Sequence, residues 1–447
     1  MKIAFIAMSG IRACDPELLE LGLTLPGFVE RSKQIASLPS LGLLTLAGMT
    51  PSHHDIQYIE IPDLYAEGVE LETFDLVAIS SYSAQINEAY ELSARYRAIG
   101  VSTVMGGPHV TTLPHEARKY CTSVILGEGE PVWHDLLADA EQGKLKVFYD
   151  ARNLDFDLAD APMPAFELLD IEKYNRITVQ SSRGCPHNCE FCAGSNLICT
   201  RYKQKPVEKV LAEIDKICKI WPHPFIEFSD DNSFVNKAYW KALLPELKKR
   251  KIKWFTETDL SVSEDPELLD LMRASGCAQV LIGFESPTLD PLDHLEIKTN
   301  WKLNRFKKYK ASIRTIQSHG ITVNGCFIVG LDGQTSSVFD EIYDFVKETE
   351  LYEVQITILT PFPGTPLYER LKQAHRLIDP TNWKTCTLFD LNFRPQGMTE
   401  HELAHGFRQL GAKLYSEEFT KWRRDTFKSN LRKSMRNEQF LTQKGAA

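Results

Sequence analysis

The sequence reads as an α/β protein built from two parallel-stranded parts. A Rossmann-like, doubly wound parallel sheet is expected over residues 1–145, a linker over 146–176, a partial (β/α)6 barrel over 177–375 and a small helical region over 376–447. Three observations predict this. Short β-branched runs alternate with helix-period segments in two successive series, the pattern of βαβ units. The stretch "DARNLDFDLADAPMPAFELLD" (150–170) between the two series is rich in Asp and Pro and has neither period. After "TPFPGTPLYERL" (360–371) the strand-like runs cease and charged helical patterns take over.

Composition narrows the function classes. The 447 residues are 43% hydrophobic and 25% charged, an ordinary balance for a chain with a substantial core. A net charge of −9 argues against a general nucleic-acid surface. No apolar run approaches the roughly 18–20 residues of a membrane span. "MKIAFIAMSG" reads as a first strand rather than an export signal. Ten cysteines without such a signal point to reduced thiols and a cytoplasmic location. Cys218, Cys277 and Cys326 lie in apolar surroundings and are expected as small buried residues.

In the first series "KIAFIAM", "IQYIEI", "LVAIS", "STVMGG" and "SVILG" are strands, and "LGLLTLAGM" and "INEAYELSARYRAIG" are helices between them. Open sheets of this kind bind ligands at the carboxyl ends of their strands. The polar and glycine-rich segments fall there: "SSYSA" (80–84), "GGPHVTT" (106–112) and "GEGEP" (127–131). The absence of G-x-G-x-x-G argues against a nicotinamide dinucleotide. Glycines at late strand ends instead let backbone approach a bulky flat ligand.

The second series gives "ITVQSS", "FIEFSDD", "IKWFTETD", "QVLIGFES", "ITVNGCFIVG" and "VQITIL" as strands, with helices such as "VEKVLAEIDKICKIW" and "NRFKKYKASIRTIQSHG" between them. In parallel barrels the active groups collect at the carboxyl ends of the strands. At the end of the first of these strands stands "RGCPHNCEFCAG" (183–194), with Cys185, Cys189 and Cys192 in one short run. Zinc sites usually show two Cys-x-x-Cys pairs. A compact trio suits an iron–sulfur cluster better, although His187 or a distant cysteine could complete a zinc site.

Cys-x-x-x-Cys-x-x-Cys at this place, with Phe191 before the third cysteine, resembles the radical S-adenosylmethionine superfamily. The resemblance implies a [4Fe–4S] cluster on Cys185, Cys189 and Cys192, and an open iron that S-adenosylmethionine chelates by its amino and carboxylate groups. One electron then cleaves that cofactor to a 5′-deoxyadenosyl radical. It also implies that "FSDDNSF" holds the cofactor's ammonium, with Asp230 and Asp231 as candidates, although the family's commoner Gly-Gly-Glu is absent. Glu285 in "IGFES" would accept from ribose hydroxyls, and Gly325 and Gly330 in "GCFIVG" would let backbone approach adenine. Carboxylates at strand–helix junctions also cap helices, a reading left open for Asp230, Asp231 and Glu285. Glu257 and Asp259 in "FTETD" share one face by alternation and either orient a ligand or serve their neighbours.

The first domain resembles the cobalamin-binding domain that precedes many such barrels, on "LPSLGLLTLAG" (38–48), "MGGPHVTT" and "LGEGEP". The contacts this implies are Ser81, Ser83, Gly106, Gly107, His109, Thr111, Gly127, Glu128 and Gly129. His109 either meets the corrin edge or caps the following helix. "SGIRACDPELLELG" (9–22) lacks the Asp-x-His-x-x-Gly whose histidine ligates cobalt in many cobalamin proteins, so the fold could also have lost the cofactor.

Together the resemblances imply a cobalamin-dependent radical C-methyltransferase acting on an unactivated carbon of a small-molecule or natural-product substrate. They further imply an electron donor such as flavodoxin or ferredoxin. The alternatives are non-methylating radical chemistry (deoxygenation, epimerisation, ring formation or carbon–carbon coupling) and a sensor without turnover. Trp383, Phe389 and Arg394 either line a pocket or pack a core, with packing favoured for the aromatics. The basic helical tail is expected as a solvated face.

Overall fold

The computed structural model describes residues 1–20, 38–66, 71–199 and 201–445. Residues 21 and 22, at the end of the stretch searched for a cobalt-ligating histidine, lie outside them. The chain divides into two compact units. The first draws on residues up to Pro224 together with Thr360–Phe393, and the second on Phe225–Leu359 and on Arg394 onward.

The first unit is built on strands β1 (Lys2–Met8), β2 (Asp55–Ile61), β3 (Leu76–Ser80), β4 (Ser102–Gly106), β5 (Ser123–Leu126) and β6 (Phe148–Asp150). They are parallel in the order β2-β1-β3-β4-β5-β6. Alternation along β1 explains the double winding. Ile3, Phe5 and Ala7 pack with Leu43, Ala47, Trp133 and Leu136 on one face, while Ala4, Ile6 and Met8 pack with Ile86, Ala89, Leu92 and Tyr96 on the other. The order reverses between β1 and β3, a switch point that leaves a crevice at the carboxyl ends. β6 falls inside the expected linker, where a run of three residues is too short for a period to show. The remainder of that stretch forms three short 3-10 turns, Leu158–Asp160, Phe166–Leu168 and Ile171–Lys173.

Next come β7 (Ile177–Val179) and the two-residue β8 (Ser182–Arg183), which pairs antiparallel with β9 (Lys203–Gln204). The second unit carries β10 (Phe225–Phe228), β11 (Lys253–Thr258), β12 (Cys277–Glu285), β13 (Thr322–Val329) and β14 (Glu353–Ile358), parallel and neighbouring in chain order. Helices Lys237–Arg250, Pro266–Ala274, Tyr309–Ser318 and Val338–Thr349 connect them, as the βα reading expects. One side of this sheet is aromatic. Phe228 and Trp254 meet Trp240, and Phe284 and Phe327 meet Phe345. The residues between them, including Glu227, Glu257 and Cys326, face the other, concave side.

Two expectations are corrected here. Cys277 is buried, but Cys218 and Cys326 are only half-buried, Cys218 on a helix flank and Cys326 on the concave face. The C-terminal tail is not merely a solvated face. Arg423 is fully buried and pairs with Glu353 of β14 at 3.2 Å, and the Tyr415 hydroxyl accepts from the Ile356 amide at 3.3 Å. Breaking a buried pair of this kind costs about 3–5 kcal/mol. Among the described residues no helix is long and apolar enough to cross a membrane.

Candidate active site

In the first unit β8 and β9 pin the two ends of the cysteine loop. Cys189 is buried and Cys185 and Cys192 are half-buried. Gly184 opens the loop at φ +82°, where a Cβ would meet the Arg201 carbonyl oxygen at 2.6 Å, so only glycine fits. Asn196 Nδ2 donates to the carbonyls of Cys189 (2.8 Å) and Cys192 (2.7 Å). The turn after β14 braces the same loop. The Leu367 amide donates to the Glu190 carbonyl at 3.0 Å, and Arg370 pairs with the Glu190 carboxylate at 2.6 and 2.9 Å.

Among the described residues no histidine or carboxylate forms a metal-sized group with these thiols. Three thiols on one loop are the donor chemistry of an iron–sulfur cluster. Cys199 Sγ turns to the Arg201 carbonyl at 2.9 Å, and burial raises its thiol pKa.

At the carboxyl ends of β3, β4 and β5 the glycines divide, since a Cβ on Gly127 would meet the Arg152 backbone at 3.2 Å and one on Gly129 the Leu46 side chain at 3.3 Å. Gly107 has φ +112° and Gly127 φ +85°, and a Cβ on Gly106 would meet nothing nearer than 3.9 Å. Several polar residues expected to touch cobalamin are engaged within the protein instead. His109 is 1% exposed, with Nδ1 3.0 Å from Ser83 Oγ, Nε2 3.3 Å from Glu116 and its ring edge-on to Trp383. It serves as an internal strut between these residues. Thr111 Oγ1 accepts from the Gly127 amide at 3.0 Å, and Ser81 Oγ donates to the Tyr82 carbonyl at 3.0 Å. Glu128 binds Arg183 at 2.7 Å and Lys203 at 2.8 Å, while Glu130 takes the other Arg183 nitrogen at 2.5 Å. Burial alone would lower the Arg183 pKa, but Glu130 and Glu128 outweigh it and hold the guanidinium charged. Arg183 immediately precedes Gly184, so this network ties the loop after β5 to the entrance of the cysteine loop. Trp383 and Phe389 are buried packing residues, and Arg394 is a surface partner of Glu400.

The concave face of the second unit holds carboxylates. Solvent reaches Glu257, yet burial and repulsion from Glu227, Asp231 and Glu285 push its carboxyl up to about 8. Glu285, at φ +62° beside a register shift in β12, pairs with Lys302 at 2.5 Å. Gly283 makes that pair possible: a Cβ there would meet Glu285 Oε1 at 2.3 Å. The two aspartates part company. Asp230 is buried and accepts from Ser233 at 3.1 Å, whereas Asp231 is exposed within the field of Glu257. Asp259 is a cap, accepting from the Ser261 amide at 2.8 Å and from Asn232 at 2.8 Å. A Cβ on Gly325 would meet Leu351 and Phe284 at 2.6 and 3.1 Å, so core packing by itself requires glycine there. Gly330 ends β13 at φ +90°, its amide donating to Gln334 Oε1 at 2.8 Å.

The model of the radical SAM superfamily matches residues 179–346, that of the B12 binding domain residues 36–137, and a domain of unknown function, DUF4070, residues 365–445. Bacteriochlorophyllide d C-12(1)-methyltransferase of Chlorobaculum tepidum is 30% identical over 386 residues, covering 85% of this chain and 83% of that protein. This chain is a cobalamin-binding radical S-adenosylmethionine enzyme. A hopanoid C-2 methylase of Rhodopseudomonas palustris is 27% identical over 83% of this chain and 75% of its own. The solved radical S-adenosylmethionine methyltransferase TsrM of Kitasatospora setae, with cobalamin and a [4Fe–4S] cluster, shares the fold: TM-score 0.65, 15% identity, 98% of this chain and all of the other.

The cofactors of this radical enzyme family are the cluster, S-adenosylmethionine and cobalamin, and the residues fit each. Three thiols in one braced loop suit a cluster with one open iron. Asp231 and Glu285 suit an ammonium and hydroxyls, and the bare backbone at Gly106 and Gly107 suits a corrin. Among the described residues 9–20 there is no histidine for cobalt. Sequence reasoning missed Lys302, Gly283, Asn196 and the Arg183 network. Only Arg183 carried a signal, as the charged residue against "GEGEP" acids of opposite sign.

Proposed function

We propose that this chain methylates an unactivated carbon of a small-molecule substrate by a radical route, supplied with electrons by a flavodoxin or ferredoxin in a reducing cytoplasm. The observation that carries this reading is the Arg183 network, which joins the glycine-lined sheet end and the cysteine loop within one unit. When bound, the cluster and S-adenosylmethionine supply a 5′-deoxyadenosyl radical, and cobalamin relays a methyl group. The protein's part is position and exclusion of water. Cys185, Cys189 and Cys192 hold the cluster, and Asn196 and Glu190 fix the loop that presents them. Asp231 attracts the ammonium of S-adenosylmethionine, Glu285 accepts from its ribose, and Lys302 pairs with that carboxylate. Glu257, protonated at neutral pH, donates a hydrogen bond toward the substrate.

The test is anaerobic reconstitution with iron, sulfide and cobalamin, followed by reduction with methyl-labelled S-adenosylmethionine. Both 5′-deoxyadenosine and label recovered with the corrin are expected. Formation of 5′-deoxyadenosine with no label on the corrin favours non-methylating radical chemistry, and neither product means a sensor.

A further inference from the structure

Nothing in the reaction above uses the amino-terminal edge of the first sheet, yet three metal-ligating side chains converge there. His53 and His54 lie in the loop before β2, and Glu141 ends the helix Trp133–Glu141. The Nε2 atoms of His53 and His54 stand 3.2 and 3.4 Å from the same Glu141 Oε1, and all three donor atoms lie within 4.8 Å of one another. A tetrahedral ion with bonds of about 2.05 Å to nitrogen and oxygen sets its donors about 3.3 Å apart. Two edges of the triangle therefore already have ligand spacing.

His54 is buried, with a side chain 1% exposed, and the centroids of the two rings are 4.0 Å apart. Two imidazoles and one carboxylate are a donor set for zinc.

We propose that His53, His54 and Glu141 bind one zinc ion that fastens the loop before β2 to the end of the helix Trp133–Glu141. The ion lies at the strand ends opposite those that take cofactors, so its role is structural.

The test uses protein with a reconstituted cluster, cleared of loose metal by chelator and desalting, then incubated with zinc chloride and passed through a second desalting step. Zinc and iron are counted by elemental analysis, and melting temperature is followed with and without zinc. The same measurement on a Cys185→Ala, Cys189→Ala, Cys192→Ala background removes thiolate binding. One retained zinc per chain is expected on both backgrounds, with at least a tenfold loss in His53→Ala and in Glu141→Gln. Both substitutions spare the buried His54. With the cysteines intact, iron content and 5′-deoxyadenosine formation should stay unchanged in both variants, and zinc should raise the melting temperature only where His53 and Glu141 are both present. Equal zinc content in the wild type and both variants, or none in the wild type, overturns the proposal.

Discussion

The two sheets end in chemically opposite ways. At the carboxyl ends of β3, β4 and β5, polar side chains satisfy one another: His109 with Ser83 and Glu116, Thr111 with Gly127, Glu128 and Glu130 with Arg183. Gly106, where an added Cβ would meet nothing nearer than 3.9 Å, leaves bare backbone there. At the ends of β10 to β12, Glu227, Asp231, Glu257 and Glu285 share one electrostatic field, and Lys302 answers Glu285. On the proposed function, the first end admits a large, flat ligand by room and the second holds a small charged ligand by counter-charge.

Three substitutions test that contrast, the most damaging first. Cys189→Ala removes the buried thiol of the cluster loop. The cluster absorption and 5′-deoxyadenosine should both vanish while bound cobalamin persists, read from one anaerobic spectrum and one product assay. Retention of the cluster would mean that the trio has been misread. Gly107→Val places a β-branched side chain at φ +112° on the sheet end. Cobalamin content should fall at least tenfold with iron unchanged, and unchanged cobalamin would show that shape does not govern that end. The mildest change is Glu257→Gln, which keeps the volume and removes the titration. Its carboxyl is raised from an ordinary value near 4.5 to about 8, so the folded state holds a proton that the unfolded chain has released between those values. Stability should therefore fall as pH rises from about 4.5 to about 8 and level off above. The glutamine variant should show a flatter melting temperature across that range, and an unaltered slope would move the charge effect to another residue.

Much of the fold was legible because both series of strands are long enough for their periods to show, and the cysteine spacing survives any rotation of the loop. Phe148–Asp150 was not legible, since three residues carry no period. The site residues divide by the kind of information each needs. Glycine at Gly107 is informative because the backbone demands it. Gly325 looks the same in sequence, yet the space it makes is filled by Phe284. Alternation put Glu257 and Asp259 on one face, but the strand ends at Thr258, and Asp259 becomes a cap. His109 and Glu128 have the residue types of ligands, and only the distances to Ser83, Glu116, Arg183 and Lys203 show that their bonding capacity is engaged inside the protein. Lys302 lies 17 positions from Glu285, beyond any local pattern.

The return of Thr360–Phe393 to the first unit has a consequence for biosynthesis. Gly364 sits where a Cβ would strike Thr112 at 2.3 Å, and Trp383 closes over His109. A nascent polypeptide that has emerged only as far as Pro224 lacks these lids on its own hydrophobic interior. The ribosome must deliver most of the second unit before the first can be completed, so an amino-terminal fragment is a poor expression target and the enzyme matures as one piece.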